Sequence, residues 1–407
     1  MKRHSRLLAL GVLLLLAPPA AAQNQPPGQR LQVTPADMPP PHATPSVSNS
    51  AIDVARPPGA NLRVPPGFRA SIFADRLVHP RWLAVAANGD VLLAEPRAGR
   101  VTLLRDADGD GDAETRTTLV GGLDRPHGLA IQGGYLYIGE PTRIVRVAWR
   151  TGDMQAGAVE AVTRSGALGD GWGHWTRNIL FSRDGSHFFV SVGSRSNTAE
   201  EASPRATIQR FRADGSGQTT FASGLRNPVG IAFRPGTEEL WTVVNERDGL
   251  GDGLVPDYLA RVEAGDFFGW PYAYIGTHPD PDFGRKRPEL VAKSKMPDVL
   301  FRSHSAPLGL VFYDAEQFPA DYRGDAFVGM QGSWNSAKPE GYMVARVPFE
   351  NGRPKGYYEV FASGFWMSGA DRARTWGRPI GLAVAKDGSL LMADESGGAV
   401  WRIAYGR

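Results

Sequence analysis

A short turn-then-strand unit recurs six times in this chain, and it limits the fold more than any other feature. Its clearest copy is Gly224 to Phe233, Gly-Leu-Arg-Asn-Pro-Val-Gly-Ile-Ala-Phe. Variants begin at His79-Pro80, Arg125-Pro126, Thr176-Arg177, Ala306-Pro307 and Arg378-Pro379. Each opens on a polar or proline turn and runs into a short apolar strand. The stretch after each anchor repeats too: Pro379 leads to the turn Lys386-Asp387-Gly388, a strand, a second turn and a third strand. Short strands with turn signals at regular spacing predict an all-β chain. Four strands per unit at a period of roughly 40–50 residues predict propeller blades. Six anchors predict a six-bladed β-propeller. A β-sandwich is the alternative, but it would not require the anchors to share turn chemistry as well as spacing.

A propeller also suits a chain of 407 residues with no second periodic pattern, because each blade builds its own layer of core with its neighbours. Phe68 to Ala74 alternates like a strand and precedes the first anchor. It is expected to complete the last sheet, whose other strands lie between Leu382 and Ile403, and so to remove an exposed edge. The propeller domain is thus 64–407. Residues 1–22 read as a signal peptide: Lys2, Arg3 and Arg6 lead an apolar run of eleven, Leu7 to Ala17, with Ala20-Ala21-Ala22 at the cleavage site. That run is too short to span a bilayer. An uncleaved anchor is the alternative. Export, most simply to a bacterial periplasm, is expected, with no transmembrane span in the mature chain. Residues 23–63 are rich in Pro, Ala, Ser and Asn and read as an extended leader or tether.

Composition narrows the chemistry. The net charge of +3 implies no nucleic-acid partner. The absence of cysteine excludes disulfides, thiolate metal sites and a cysteine nucleophile. In a blade, the first strand runs away from its anchor and the second returns, so anchor turns and second-strand ends share one face. That face is expected to collect Arg81, Glu95, Arg97, His127, Glu140, Arg143, His174, Arg177, Arg195, Arg226, Asn227 and Asn245. It also gathers Glu246, Arg247, His304, Ser305, Gln331, Trp334, Asn335, Arg374, Arg378 and Glu395. So many arginines would repel one another unless an anion sat among them, and guanidinium groups grip planar carboxylates bidentately. Long insertions at Arg247 to Pro256, Phe267 to Lys295, Ser333 to Gly341 and Phe365 to Thr375 are expected to build the site. His174, within Gly171-Trp172-Gly173-His174-Trp175, is the natural general base.

These residues resemble the glucose/sorbosone dehydrogenase family of soluble quinoproteins, most of all its sorbosone dehydrogenase-like branch. The resemblance rests on Pro65-Pro66-Gly67-Phe68, Asp124 to Ala130, Ser223-Gly224-Leu225-Arg226-Asn227-Pro228, Val244-Asn245-Glu246-Arg247-Asp248, Phe268-Gly269-Trp270-Pro271-Tyr272 and Gly332-Ser333-Trp334-Asn335. It implies a sugar or sugar-aldehyde dehydrogenase holding pyrroloquinoline quinone (PQQ) beside calcium, with hydride passing from sugar to quinone. His174 matches the family's base, and Arg226, Asn227 and Arg378 match residues against the cofactor. Arg177 and Trp334 are further cofactor candidates. Lys338 is a substitute for the quinone-binding lysine of better-known members, which has no clear match here. Calcium ligands are expected from Glu246, Asp257 and the backbone at Arg247 and Asp248. The Gly-Pro turn frequent after the family's acidic residue is here Asp248-Gly249-Leu250. The expected partners are a sugar substrate and an electron acceptor, quinone or cytochrome.

A separate loop, Asp106 to Glu114, places Asp106, Asp108, Asp110 and Asp112 at every second position, with Gly111 for the turn. It lacks the glutamate at position twelve of an EF-hand, where Thr117 stands. It is either a structural ion site or a solvated acidic turn. Two rival functions remain: a calcium-dependent lactonase-type hydrolase, which would need few arginines, and a non-catalytic binding propeller.

Overall fold

The computed structural model describes residues 25–406; the expected signal peptide lies outside them. Among the described residues the chain is all-β apart from one short helix, Pro288–Lys293, and three single 3-10 turns. Every anchor opens the innermost strand of a four-stranded antiparallel sheet. The first sheet is Trp82–Val85, Val91–Glu95, Arg100–Arg105 and Thr115–Val120. The second is Leu129–Gln132, Tyr135–Gly139, Ile144–Ala148 and Val159–Ala161. The third is Ile179–Phe181, His187–Val192, Thr207–Arg212 and Thr219–Ser223. The fourth is Asn227–Phe233, Leu240–Asn245, Tyr258–Val262 and Val299–Leu300. The fifth is Pro307–Phe312, Ala326–Met330, Met343–Val347 and Tyr358–Ala362, and Arg30–Leu31 adds a fifth strand at its outer edge. The sixth is Pro379–Val384, Leu390–Asp394 and Ala399–Tyr405, completed by Phe68–Ala74. The N-terminal strand therefore pairs with the C-terminal one, Phe68 opposite Tyr405 and Ile72 opposite Trp401.

Each sheet shares an apolar core with the next. Leu92 and Leu136 meet between the first and second, Tyr137 and Phe188 between the second and third, and Ile208 and Val244 between the third and fourth. Trp241 and Val328 join the fourth to the fifth, and Phe327 and Met392 the fifth to the sixth. Leu391 and Val91 join the sixth sheet to the first. Burying one Leu, Val or Phe side chain contributes about 1.5–3 kcal/mol, and these cores are almost wholly buried. At the axis Val229, Leu308 and Ile380 pack together.

The glycine of the repeat has a steric cause. A Cβ at Gly309 would fall on the carbonyl oxygen of Ile380, and one at Gly381 on that of Arg81. Gly381 instead donates its N–H to Arg81 O at 3.0 Å, and Gly128 its own to Arg177 O at 2.8 Å. Inner strands thus touch backbone to backbone, which a side chain would prevent. The residue before the anchor proline takes a left-handed backbone at His79 (φ 56°), Arg125 (42°) and Ala306 (54°). Residues before proline avoid the right-handed helical region, and strain of this kind gathers at functional sites.

Residues 25–63, read from sequence as a leader or tether, run along the molecule instead. Besides the strand at Arg30–Leu31, Ile52–Asp53 pairs in parallel with Arg374–Thr375, and Arg63 bridges Ser363. The apolar residues of this stretch are scattered without a period, so composition concealed both these backbone pairings and the packing of Leu31, Met38 and Leu62 on the cores.

Candidate active site

Anchor turns and second-strand ends converge, as the strand directions require, on a cavity of about 970 Å³. That is the upper end of the range for small-molecule sites. The first sheet supplies Arg81 and Arg97, and the turn before the second supplies Arg125. His174 comes from the turn before the third, and Arg226, Asn227, Glu246 and Asp248 from the fourth. Asp257, His304, Gln331, Trp334, Asn335 and Glu395 also line it.

The His174 ring is fixed by its Nδ1, which donates to Ser194 O at 2.9 Å with Ser194 Oγ at 3.0 Å. Nε2 is left as the lone-pair nitrogen. Burial, aided by the nearby Arg226 charge, pushes the ring pKa down to about 3, so the imidazole is neutral at ordinary pH. Arg177, expected to touch a cofactor, lies fully buried behind this turn. Its guanidinium donates to the carbonyls of His174 (2.8 Å), Thr176 (2.7 Å) and Leu168 (3.1 Å). It braces the turn that carries the base and is absent from the cavity lining.

The fourth-sheet side is rich in oxygen. Asp257 accepts from the N–H groups of Glu246 and Ala306, both at 2.9 Å. Burial first, then the neighbouring carboxylate, pushes Glu246 up to about 7 and Asp257 up to about 6. Glu246 Oε1 and Asn227 Oδ1 are buried without a hydrogen-bond partner. Asp248 is different: burial raises it, but Arg226 at 2.9 Å, His304 and Asn335 outweigh that and hold it below the usual range. Two orphaned oxygens beside destabilised acids fit a divalent cation, which oxygen ligands alone can hold. The Arg247 side chain turns away to pair with Asp280 at 2.5 Å, while its backbone N–H donates to Glu246 at 3.0 Å.

The side built by the sixth, first and second sheets is cationic. Glu395 ties it together, meeting His79 Nε2 at 2.5 Å, Arg81 at 2.7 Å and Gln331. Burial raises the Glu395 carboxyl, yet Arg81 and His79 win and hold it well below the carboxylate range. Arg81 and Arg125 lie 5.4 and 5.8 Å from the Trp175 ring. Arg97 has no ion-pair partner among the described residues. This set suits a ligand carrying several carboxylates.

Of the remaining expected residues, Trp334 sits half-exposed at the rim. Arg378 faces the N-terminal segment, 3.8 Å from Asp53 and over the Tyr342 ring. Lys338 pairs with Asp371 on the surface and borders a different, smaller cavity. Glu95 and Glu140 fold back to accept the N–H groups of Val78 and Asp124, capping the anchor turns. His127 is buried against Trp175 and is absent from the lining. His79, Arg125 and Trp175 escaped the sequence reading; their place inside the anchor turns themselves was the available signal. In the acidic loop, carboxylates of Asp106, Asp108, Asp110 and Glu114 come within 4.8 Å of one another, without Asp112. None of the loop's residues lines the cavity, and its carboxylates already cap their own backbone, Gly109 and Gly111 donating to Asp106.

Comparison with known proteins gives a consistent result. Residues 62–255 and 288–406 match the TrAA12-like family. A PQQ-dependent pyranose dehydrogenase of Coprinopsis cinerea is 26% identical over 418 residues, which cover 85% of this chain and 55% of the fungal protein. The chain therefore spans about half the length of that relative. The holo form of the PQQ domain of C. cinerea pyranose dehydrogenase superposes with a TM-score of 0.73 at 21% identity, covering 87% of this chain and 100% of the domain. The calcium structure of a family AA12 enzyme from Trichoderma reesei gives a TM-score of 0.69 at 20% identity, over 84% of this chain and 96% of the other.

Proposed function

The chain belongs to the TrAA12-like family, and from that premise we propose that it is a PQQ-dependent, calcium-assisted oxidoreductase of sugars. The observation that carries this reading is the division of the cavity, arginines on one side and orphaned oxygens on the other. The six shared cores support reading the sheets as the blades of a six-bladed propeller closed by its N-terminal strand.

Arg81, Arg97 and Arg125 would hold the carboxylates of the quinone, and Glu246, Asp248, Asp257 and Asn227 would surround calcium. When bound, the quinone supplies a two-electron acceptor and calcium a Lewis acid. The chain's own work is positional and protonic. Ser194 orients His174 so that Nε2 takes the proton of a sugar hydroxyl or hydrate. Burial keeps that nitrogen unprotonated at neutral pH. Arg177 keeps the turn rigid from behind. A sorbosone-like sugar aldehyde is the substrate we favour, on the sequence resemblance. The leading segment Met1 to Ala22 supports export to the periplasm, and no helix among the described residues is long and apolar enough to cross a membrane. A quinone or cytochrome would then collect the electrons.

Titrating the purified protein with PQQ and calcium, followed by a dye-coupled assay over aldoses and sugar aldehydes, tests the reading. Tight binding with sugar-dependent reduction is the expected result. Absence of quinone binding overturns it; calcium-dependent lactone hydrolysis would then favour a hydrolase, for which the acidic cluster of the fourth sheet is also suited.

A further inference from the structure

Residues 38–54 touch two loops that line the cavity, those carrying Asp248 and Trp334, and a third loop beside them, 366–375. Met38 and Ala51 pack on apolar groups there, and a set of hydrogen bonds fixes the register. Asn49 is the densest point. Its backbone N–H donates to Trp334 O at 2.6 Å. Its side-chain amide donates to Ser336 O at 2.8 Å and to Asp371 O at 2.6 Å. One residue thereby ties the loop carrying Trp334 and Asn335 to the loop running into Arg374. Five residues earlier, Thr44 Oγ1 accepts the N–H of Asp252 at 2.8 Å, and the His42 N–H donates to Leu250 O at 2.8 Å. These fix the loop that comes after Asp248. A Cβ at Gly251 would lie 2.7 Å from Thr44 O, so the approach is as close as backbone allows. Nearer the propeller, the N–H groups of Ile52 and Val54 donate to Ala373 O and Thr375 O, both at 2.8 Å. The loops are also joined to each other, Ala337 N–H donating to Asp252 Oδ1 at 2.9 Å. This segment precedes the stretch matched by the family, which starts at residue 62.

We propose that residues 38–54 form a strap that holds the two cavity-lining loops in register with each other and with the 366–375 loop, and that Asn49 is its positioning residue. The strap touches neither His174 nor the arginine side of the cavity. Its effect falls on Asp248, Trp334 and Asn335, and therefore on ligand affinity more than on the proton transfer. That last step rests on the function proposed above; the loop-fixing itself does not.

The test compares full-length wild type, Asn49→Ala, Thr44→Val and a control, Arg30→Ala, which cuts only outer contacts, with Glu359 and the Tyr357 ring. Hydrogen exchange is measured over 250–254, 333–341 and 366–375, together with PQQ affinity and the separate kcat and KM of the sugar reaction. Losing two or three hydrogen bonds of this kind corresponds to roughly tenfold or more in an opening equilibrium. Asn49→Ala should therefore exchange about tenfold faster in 333–341 and 366–375, and Thr44→Val, which loses one bond, roughly two- to tenfold faster in 250–254, with the inner strands unchanged. PQQ affinity should fall and KM rise about tenfold while kcat changes less. Unchanged exchange in those loops, or an equal rise across every sheet, overturns the strap. Wild type that binds no PQQ overturns the proposed function, and the exchange data still decide the strap.

Discussion

Two half-buried groups of the cavity show how environment sets chemistry at the scale of single residues. His174 has no carboxylate partner; a carbonyl holds its Nδ1 and burial keeps it neutral. We expect His174→Ala to lower kcat by about 10²–10⁴, the span of general-base catalysis, with PQQ affinity kept; an unaltered rate would remove His174 from the role. Glu395 is the opposite case, a half-buried carboxylate that remains charged because Arg81 and His79 face it. A carboxyl depressed in the folded state contributes stability above its unfolded value near 4.5, which is lost as pH falls toward the folded value. Wild type should therefore lose more thermal stability between pH 5 and 3 than Glu395→Gln does. Equal losses in melting scans would show that Glu395 is not held ionised. Lys338, on the surface and paired with Asp371, should be dispensable: Lys338→Ala should bind PQQ as wild type does, whereas Arg81→Ala should bind at least tenfold more weakly in the same titration.

At the scale of elements, the anchor turn is a unit with divided labour. Its glycine lets neighbouring inner strands meet, and its carboxylate cap, Glu95 or Glu140 from the end of the second strand, fixes the turn. The turn then presents a side chain to the cavity from a backbone that glycine would hold more comfortably, as at Arg125. Overpacking a close backbone contact costs about 1–3 kcal/mol or more. Gly309→Ala should accordingly lower the melting temperature by several degrees and reduce soluble yield. Gly236→Ala, at a surface turn where a Cβ meets nothing within 4 Å, should cost only what its left-handed backbone imposes, so the smaller loss belongs to that variant.

At the scale of the whole molecule, the sixth sheet is built from both ends of the chain. Its outer strand Phe68–Ala74 covers the edge of Ala399–Tyr405 and brings Phe68 and Phe73 into two different inter-sheet cores. Deleting residues 1–74 should expose that edge and yield aggregated protein in size-exclusion chromatography, because an unpaired strand recruits others. Deleting only 1–24 should leave a monodisperse protein. If the longer deletion stays monodisperse and folded, closure through this strand is not what maintains the sheet.

The sequence by itself determined the strands, the turns and the shared face, because alternation, glycine and proline act over a few residues and repeat six times. It also led to His174, Arg226, Asn227 and Glu246 as lining groups, since their positions derive from strand direction, and the family resemblance added Asp248 and Asp257. Tertiary structure alone decided side-chain direction. Arg177 points behind the turn to three carbonyls, Arg247 to Asp280, and Arg378 to Asp53, because each found a partner distant in sequence or on the far side of its own strand. The same holds for residues 25–63. Their polar composition carries no period, and they are ordered by backbone and side-chain hydrogen bonds to loops some 200 to 320 residues away, a pairing that no local pattern encodes.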